Sequence, residues 1–163
     1  MSTTTHHETE IIAGQDTPTI TIVREFDAPP ERVFRCYADP ALYARWVGPR
    51  SVTTDVGHWD FRRGGSYTFE NSRDGEVIAS FYGSFHEVRE AERIVQTFTW
   101  EGAPDGVSLD TLTLEPLPGG RTRSVALSVV DSFETRDAIL SSGMDTGVEE
   151  GYEKLDELLQ ELR

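Results

Sequence analysis

The chain reads as alternating apolar and polar positions interrupted by two kinds of helical stretch. Order begins near Thr19, where Ile20, Ile22 and Arg24 alternate with Thr21, Val23 and Glu25 ahead of Phe26, the period-2 pattern of a strand. A helix carrying Val33, Phe34 and Tyr37 on one side follows, either capped by Asp27 or opened by Pro29 and Pro30. Asp39-Pro40 stops it and starts a second helix with Leu42, Tyr43 and Trp46, ended by Gly48-Pro49. From there the alternation returns over 52–61, 65–71, 78–88, 94–101, 109–115 and 122–130, with Gly-rich turns between most runs. Ser132 caps a helical piece over 136–140, and a long helix runs over 144–162. Its apolar stripe is Leu140, Met144, Val148, Tyr152, Leu155, Leu159 and Leu162, opposite Glu149, Glu150, Glu153, Asp156 and Glu157.

This order, one strand, two short helices, six strands and one long helix, predicts an α+β fold. Short sequential connections favour an antiparallel meander. With the first strand the sheet has about seven strands, and a curled sheet of that kind has one face to bury. The long C-terminal helix is its natural cover. Residues 1–18 lack periodicity and are expected to be a flexible tail, with His6 and His7 solvated; 19–163 form a single domain.

Length and charge narrow the functional classes. A chain of 163 residues is long enough for a core without disulfide or metal staples. Its net charge of −14 argues against nucleic acid and against anionic membrane surfaces. The single Cys36 has no internal partner, which fits a reducing compartment. The N-terminus lacks the basic-then-apolar pattern of a signal peptide, and no apolar run is long enough to span a bilayer. The expectation is a cytoplasmic protein, a monomer or homodimer.

Three segments carry a family resemblance. FDAPPERVFRCYADPALYARWVGP, from Phe26 to Pro49, resembles the opening of the START-like (SRPBCC) superfamily. More narrowly, it is similar to the bacterial family named for the heat-shock protein 90 ATPase activator homologue. DFRRGGSYTF, from Asp60 to Phe69, resembles that family's turn, with Arg63 where Pro is more usual. RDAILSSGMDTGVEEGYEKLDELL, from Arg136 to Leu159, resembles its C-terminal signature. The resemblance implies a helix-grip fold with a cavity between sheet and long helix. It does not imply one activity, since the fold hosts carriers, cyclases, hydrolases and co-chaperone domains.

Candidate chemistry is sparse. Gly143, Gly147 and Gly151 fall on one helix face, where each glycine costs about 0.8–1 kcal/mol relative to Ala. Either a hollow or close packing offsets that cost. Aromatic residues crowd the inward positions, as ordinary core or as the wall of a mainly apolar pocket. The expected pocket set is Trp46, Tyr67, Phe69, Phe81, Phe98 and Trp100 from the sheet side, with Met144, Gly147, Val148 and Gly151 from the helix. His58, Glu87 and Gln96 are the candidate polar groups within it. A strand bulge would instead turn Glu87 outward and Val88 inward, and His58 and His86 also read as exposed strand positions. Cys36 reads as a packed thiol, and Asp110 with Arg123 as a surface pair.

No phosphate loop, metal-ligand spacing or nucleophile elbow is present, and neither a cofactor nor a metal is expected. The leading expectation is a binding protein for a small apolar or aromatic molecule, lipid- or polyketide-like. A cyclase- or hydrolase-type enzyme would need an acid–base residue in the same cavity. A co-chaperone is a third reading, but the co-chaperones proper carry an additional N-terminal domain and only about 18 residues precede the first strand here. A protein partner is not identified by the sequence.

Overall fold

Alternation does build strands here, and their order explains the grip. The computed structural model describes residues 7–163. The elements are β1 (Glu10–Ala13), β2 (Thr19–Phe26), α1 (Pro30–Ala38), α2 (Pro40–Trp46), β3 (Thr53–Trp59), β4 (Ser66–Arg73), β5 (Glu76–Arg89), β6 (Arg93–Trp100), β7 (Ser108–Leu117), β8 (Arg121–Val129), α3 (Phe133–Ser141) and α4 (Met144–Glu161). The sheet order is β1-β2-β8-β7-β6-β5-β4-β3, antiparallel throughout. Thus β3 to β8 form the expected meander, and α1 with α2 carries the chain from β2 to the opposite edge.

The sheet has eight strands rather than seven. The added strand, β1, lies inside the segment expected to be a tail. Glu10, Ile11, Ile12 and Ala13 pair with Val23, Ile22, Thr21 and Ile20. Four residues are too few to show a period in the sequence; the unpaired edge of β2 gives them their conformation. His7, also in that segment, lies 2.9 Å from Asp27. Residues 1–6, His6 among them, lie outside the described residues.

Each helix start follows from local chemistry. Pro30 stands at the first turn of α1, where its missing N–H costs nothing. The Asp39 carboxylate accepts from the Ala41 N–H at 2.9 Å to cap α2. Ser132 Oγ accepts from the Thr135 N–H at 3.1 Å to cap α3. Gly143, at φ 85°, forms the left-handed joint between α3 and α4, a conformation glycine adopts without strain.

The end of the sheet where β2 starts and β8 finishes is here called upper. At the lower end Phe26, Leu112, Leu114, Ile94 and Phe85 pack with Leu155, Leu158 and Leu159 of α4 in one dense cluster. Arg24 reaches from β2 to Asp156 of α4. Near the upper end, buried Arg136 of α3 donates to the Gly14 and Thr19 carbonyls at 2.8 and 3.0 Å, fastening the turn that follows β1.

Candidate functional site

The inward face of the sheet carries a nearly continuous aromatic file. Trp59 stacks with Phe61 at 5.9 Å between centroids, and Phe61 meets Phe85 edge-on at 4.9 Å. Tyr67 lies 5.0 Å from Phe85. Phe69 stacks on Phe81 at 4.8 Å, and Phe81 on Phe98 at 5.3 Å. Alternation along β4, β5 and β6 places these rings on one face, and offset contacts of this kind add to their burial.

Burial along that face is uneven. Tyr67, Phe69, Phe85, Ile94, Leu112 and Leu114 are buried. Further up, Phe81, Gln96, Phe98, Asp110, Ala126 and Ser128 are only half-buried, although they share the inward side. The helices match. Tyr152, Leu155, Leu158 and Leu159 are buried, whereas Ile139, Leu140, Met144 and Val148 are half-buried. The lower interior is filled; at the upper end Ile20 of β2 is buried as well, and the incompletely covered part of the face lies on β5 to β8.

The expected pocket residues therefore separate. Phe81 and Phe98 border the less covered half. Val148 packs on the edge of the core, and Met144 is half-buried at the start of α4. Tyr67 and Phe69 belong to the filled core. So does Trp46, whose indole N–H donates to the Cys36 carbonyl at 3.0 Å and whose ring stacks on Tyr152. Trp100 shares the face of its cross-strand partner Phe81, but is 49% exposed at the strand end. Its ring lies over Gly102, where a Cβ would come 2.2 Å from it.

The glycine file serves packing rather than a hollow at its last two members. A Cβ on Gly151 would stand 3.1 Å from the Trp46 carbonyl, and one on Gly147 3.6 Å from Pro49 Cδ. Both face the segment after α2, not the sheet. Gly143 is the joint between helices, with no neighbour within 4 Å of a Cβ placed there.

The polar candidates separate as well. The register shifts between Phe85 and Glu87, so the bulge alternative is the one the structure adopts. Val88 packs on the core, and Glu87 pairs with Arg89 at 3.0 Å and Arg93 at 3.1 Å. His58 is exposed on β3. Neither Glu87 nor His58 is a cavity group. Gln96 does face inward, beside the Tyr67 hydroxyl.

Asp110 is the inward polar residue that the sequence reading misplaced. Arg123 pairs not with it but with Glu115, at 3.0 Å. Asp110 lies between Gln96 on β6 and Ser128 on β8 in one cross-strand row. Its Oδ1 is closed to solvent and has no hydrogen-bond partner. Burial pushes its carboxyl above the ordinary 3.8, against the pull of the Ser128 and Ser108 hydroxyls. The signal was present in the sequence, since Asp110 shares parity with Leu112 and Leu114.

Tyr67 completes the row chemically. Its hydroxyl donates to the Thr97 carbonyl at 2.7 Å by crossing Gly83, where a Cβ would stand 2.7 Å from that hydroxyl. Burial pushes the Tyr67 and Tyr43 hydroxyls above their ordinary pKa, and the Asp110 charge pushes both further up. Cys36 is fully buried, and burial pushes its thiol up to about 11, so it is a packing residue and not a nucleophile. Among the described residues no group of three or more His, Cys, Asp or Glu has metal-binding geometry, and no helix is long and apolar enough to cross a membrane.

Residues 27–160 match the family described as activator of Hsp90 ATPase homolog 1-like protein. The chain belongs to this family. Solved structures agree with the family's START-like, helix-grip architecture. A Mycobacterium smegmatis protein is 29% identical, with a TM-score of 0.82, over 92% of this chain and 95% of that one. A Rhodobacter sphaeroides protein is 27% identical, with a TM-score of 0.84, over 94% and 99%. A Chromobacterium violaceum protein is 31% identical, with a TM-score of 0.74, over 86% and 96%. No curated protein matches the chain. The family fold is in general that of a ligand-binding type of domain.

Proposed function

We propose that the protein binds a small apolar or aromatic molecule between the upper half of the sheet and the helices α3 and α4. The observation that carries this reading is the change in burial along the inward face. Lower residues such as Phe85 and Leu155 are closed off, while Phe81, Phe98, Met144 and Val148 are half-buried on the same side of the molecule. Apolar side chains left uncovered on an inward face are what a ligand's apolar surface would bury. Each buried CH₂ contributes about 0.8 kcal/mol. The stacked pair Phe81 and Phe98 offers a flat wall suited to a ring or a chain.

The test is native mass spectrometry of the purified protein before and after organic extraction. The expected result is a retained small mass that extraction removes. Val148→Trp, which fills the space beside the core edge, is expected to abolish retention while leaving the circular-dichroism spectrum unchanged. A bare protein whose melting temperature is unmoved by decanol or naphthalene would overturn the reading.

A further inference from the structure

The interior of the sheet holds one carboxylate oxygen that the fold leaves unanswered. Asp110 is the third residue of β7, near the upper end of the inward face, two residues before Leu112 and four before Leu114. Its cross-strand neighbours are the neutral Gln96 and Ser128. Ser108, the other hydroxyl beside it, is neutral too. None of the ion pairs among the described residues includes it. Oδ1 lacks any hydrogen-bond partner and any contact with solvent. A buried polar atom in this state is uncommon in folded proteins, and a donor from outside the chain would add to the Ser128 and Ser108 hydroxyls already beside the carboxyl.

We propose that Asp110 anchors the bound molecule, and that this molecule is an apolar amine whose protonated nitrogen meets the Asp110 carboxylate. The proposal rests on the binding reading above and specifies its ligand. An ammonium group supplies both the missing N–H donor and the missing counter-charge, a stronger pairing than a neutral donor gives. Gln96 and Ser128 stand on either side to accept or donate further bonds, which orients the head. Phe98 lies two residues along β6 from Gln96 on the same face, so an apolar body attached to that head runs along the Phe98–Phe81 wall. The overall charge of −14 favours the approach of a cation over that of an anion.

The test uses decylamine, decanol and decanoate below their micelle concentrations, titrated by calorimetry at physiological salt. The wild type is expected to bind the amine more tightly than the alcohol, and the alcohol more tightly than the acid, with amine over acid on the order of tenfold or more. Asp110→Asn is expected to erase that ratio while keeping decanol binding, which also shows that the variant is folded. Glu90→Gln removes the same charge from an exposed turn and is expected to leave the ratio unchanged, separating the site from general surface attraction. Equal affinities for amine and acid in the wild type, or an unchanged ratio in Asp110→Asn, would overturn the anchor while leaving the binding reading standing. Failure of all three probes to bind would overturn the binding reading and the anchor with it.

Discussion

Arg24 on β2 and Asp156 on α4 form a two-pronged ion pair, Nη1 to Oδ1 at 3.0 Å and Nη2 to Oδ2 at 2.6 Å. The Arg24 side chain is 1% exposed and the Asp156 side chain 24%. The guanidinium also lies 4.9 Å from the centroid of Phe26 and 5.9 Å from that of Tyr152. Sheet and long helix are thus joined by a charge pair inside the lower, filled half. Removing one partner of such a pair leaves a buried charge alone. Asp156→Ala is expected to cost about 3 kcal/mol or more, read as the loss of unfolding free energy in urea. A cost below about 1 kcal/mol would show that water reaches Arg24.

Gly147 and Gly151 look alike in sequence and differ in surroundings. A methyl at Gly147 meets only Pro49, at 3.6 Å, an ordinary contact, so Gly147→Ala is expected to stabilise α4 by about 0.5–1 kcal/mol. At Gly151 the same methyl comes 3.1 Å from the Trp46 carbonyl. There the gain in helix propensity is offset by crowding. Thermal melts of the two variants are expected to differ in that order, and equal shifts would contradict the packing described.

Gly83 has no such freedom. A Cβ there would stand 2.0 Å from the Thr97 carbonyl and 2.7 Å from the Tyr67 hydroxyl. Gly83→Ala must displace the ring or spread β5 from β6. A destabilisation of about 1–3 kcal/mol is expected, together with loss of the Tyr67 hydrogen bond. Chemical denaturation followed by tyrosine fluorescence checks both.

Asp110 predicts a pH dependence of stability with a definite sign. Its carboxyl is raised in the folded protein above 3.8, so the folded state holds the proton more tightly than the unfolded chain. That contribution is fully present below 3.8 and is lost as pH rises through the higher folded value. The titratable groups facing it are Tyr67 and Tyr43, neutral across this range. Asp110→Asn is therefore expected to raise the melting temperature at pH 7, by about 2–4 °C for each kcal/mol relieved, and to lose that advantage below about pH 4. A variant less stable than the wild type at pH 7 would contradict this. Stability gained at the expense of binding is the usual exchange at functional positions.

The fold was legible because period and punctuation agree in this chain. Tyr67 and Phe69 alternate cleanly, Pro30 and Pro40 open helices, and the α4 stripe from Val148 to Leu159 recurs every three or four residues. The site was less legible because parity fails at irregularities. One extra residue near His86 turns Glu87 out and Val88 in, and position at the end of the strand leaves Trp100 exposed despite its correct face. Parity did hold at Asp110, but a charged residue beside a basic strand reads as a surface pair. Only the partnering of Arg123 with Glu115 shows otherwise. The glycines of α4 could be placed on one face by counting, but which neighbour they approach depends on the path of the chain after Trp46.

The four residues of β1 have a role out of proportion to their number. They occupy Ile20 to Val23 of β2, leaving the first half of that strand no free backbone to offer another molecule. What remains open along this border is β1 itself, short and bearing the charge of Glu10, and the three residues of β2 after Val23. The N-terminal arm thus works as a selvage, a finished margin along the first half of β2.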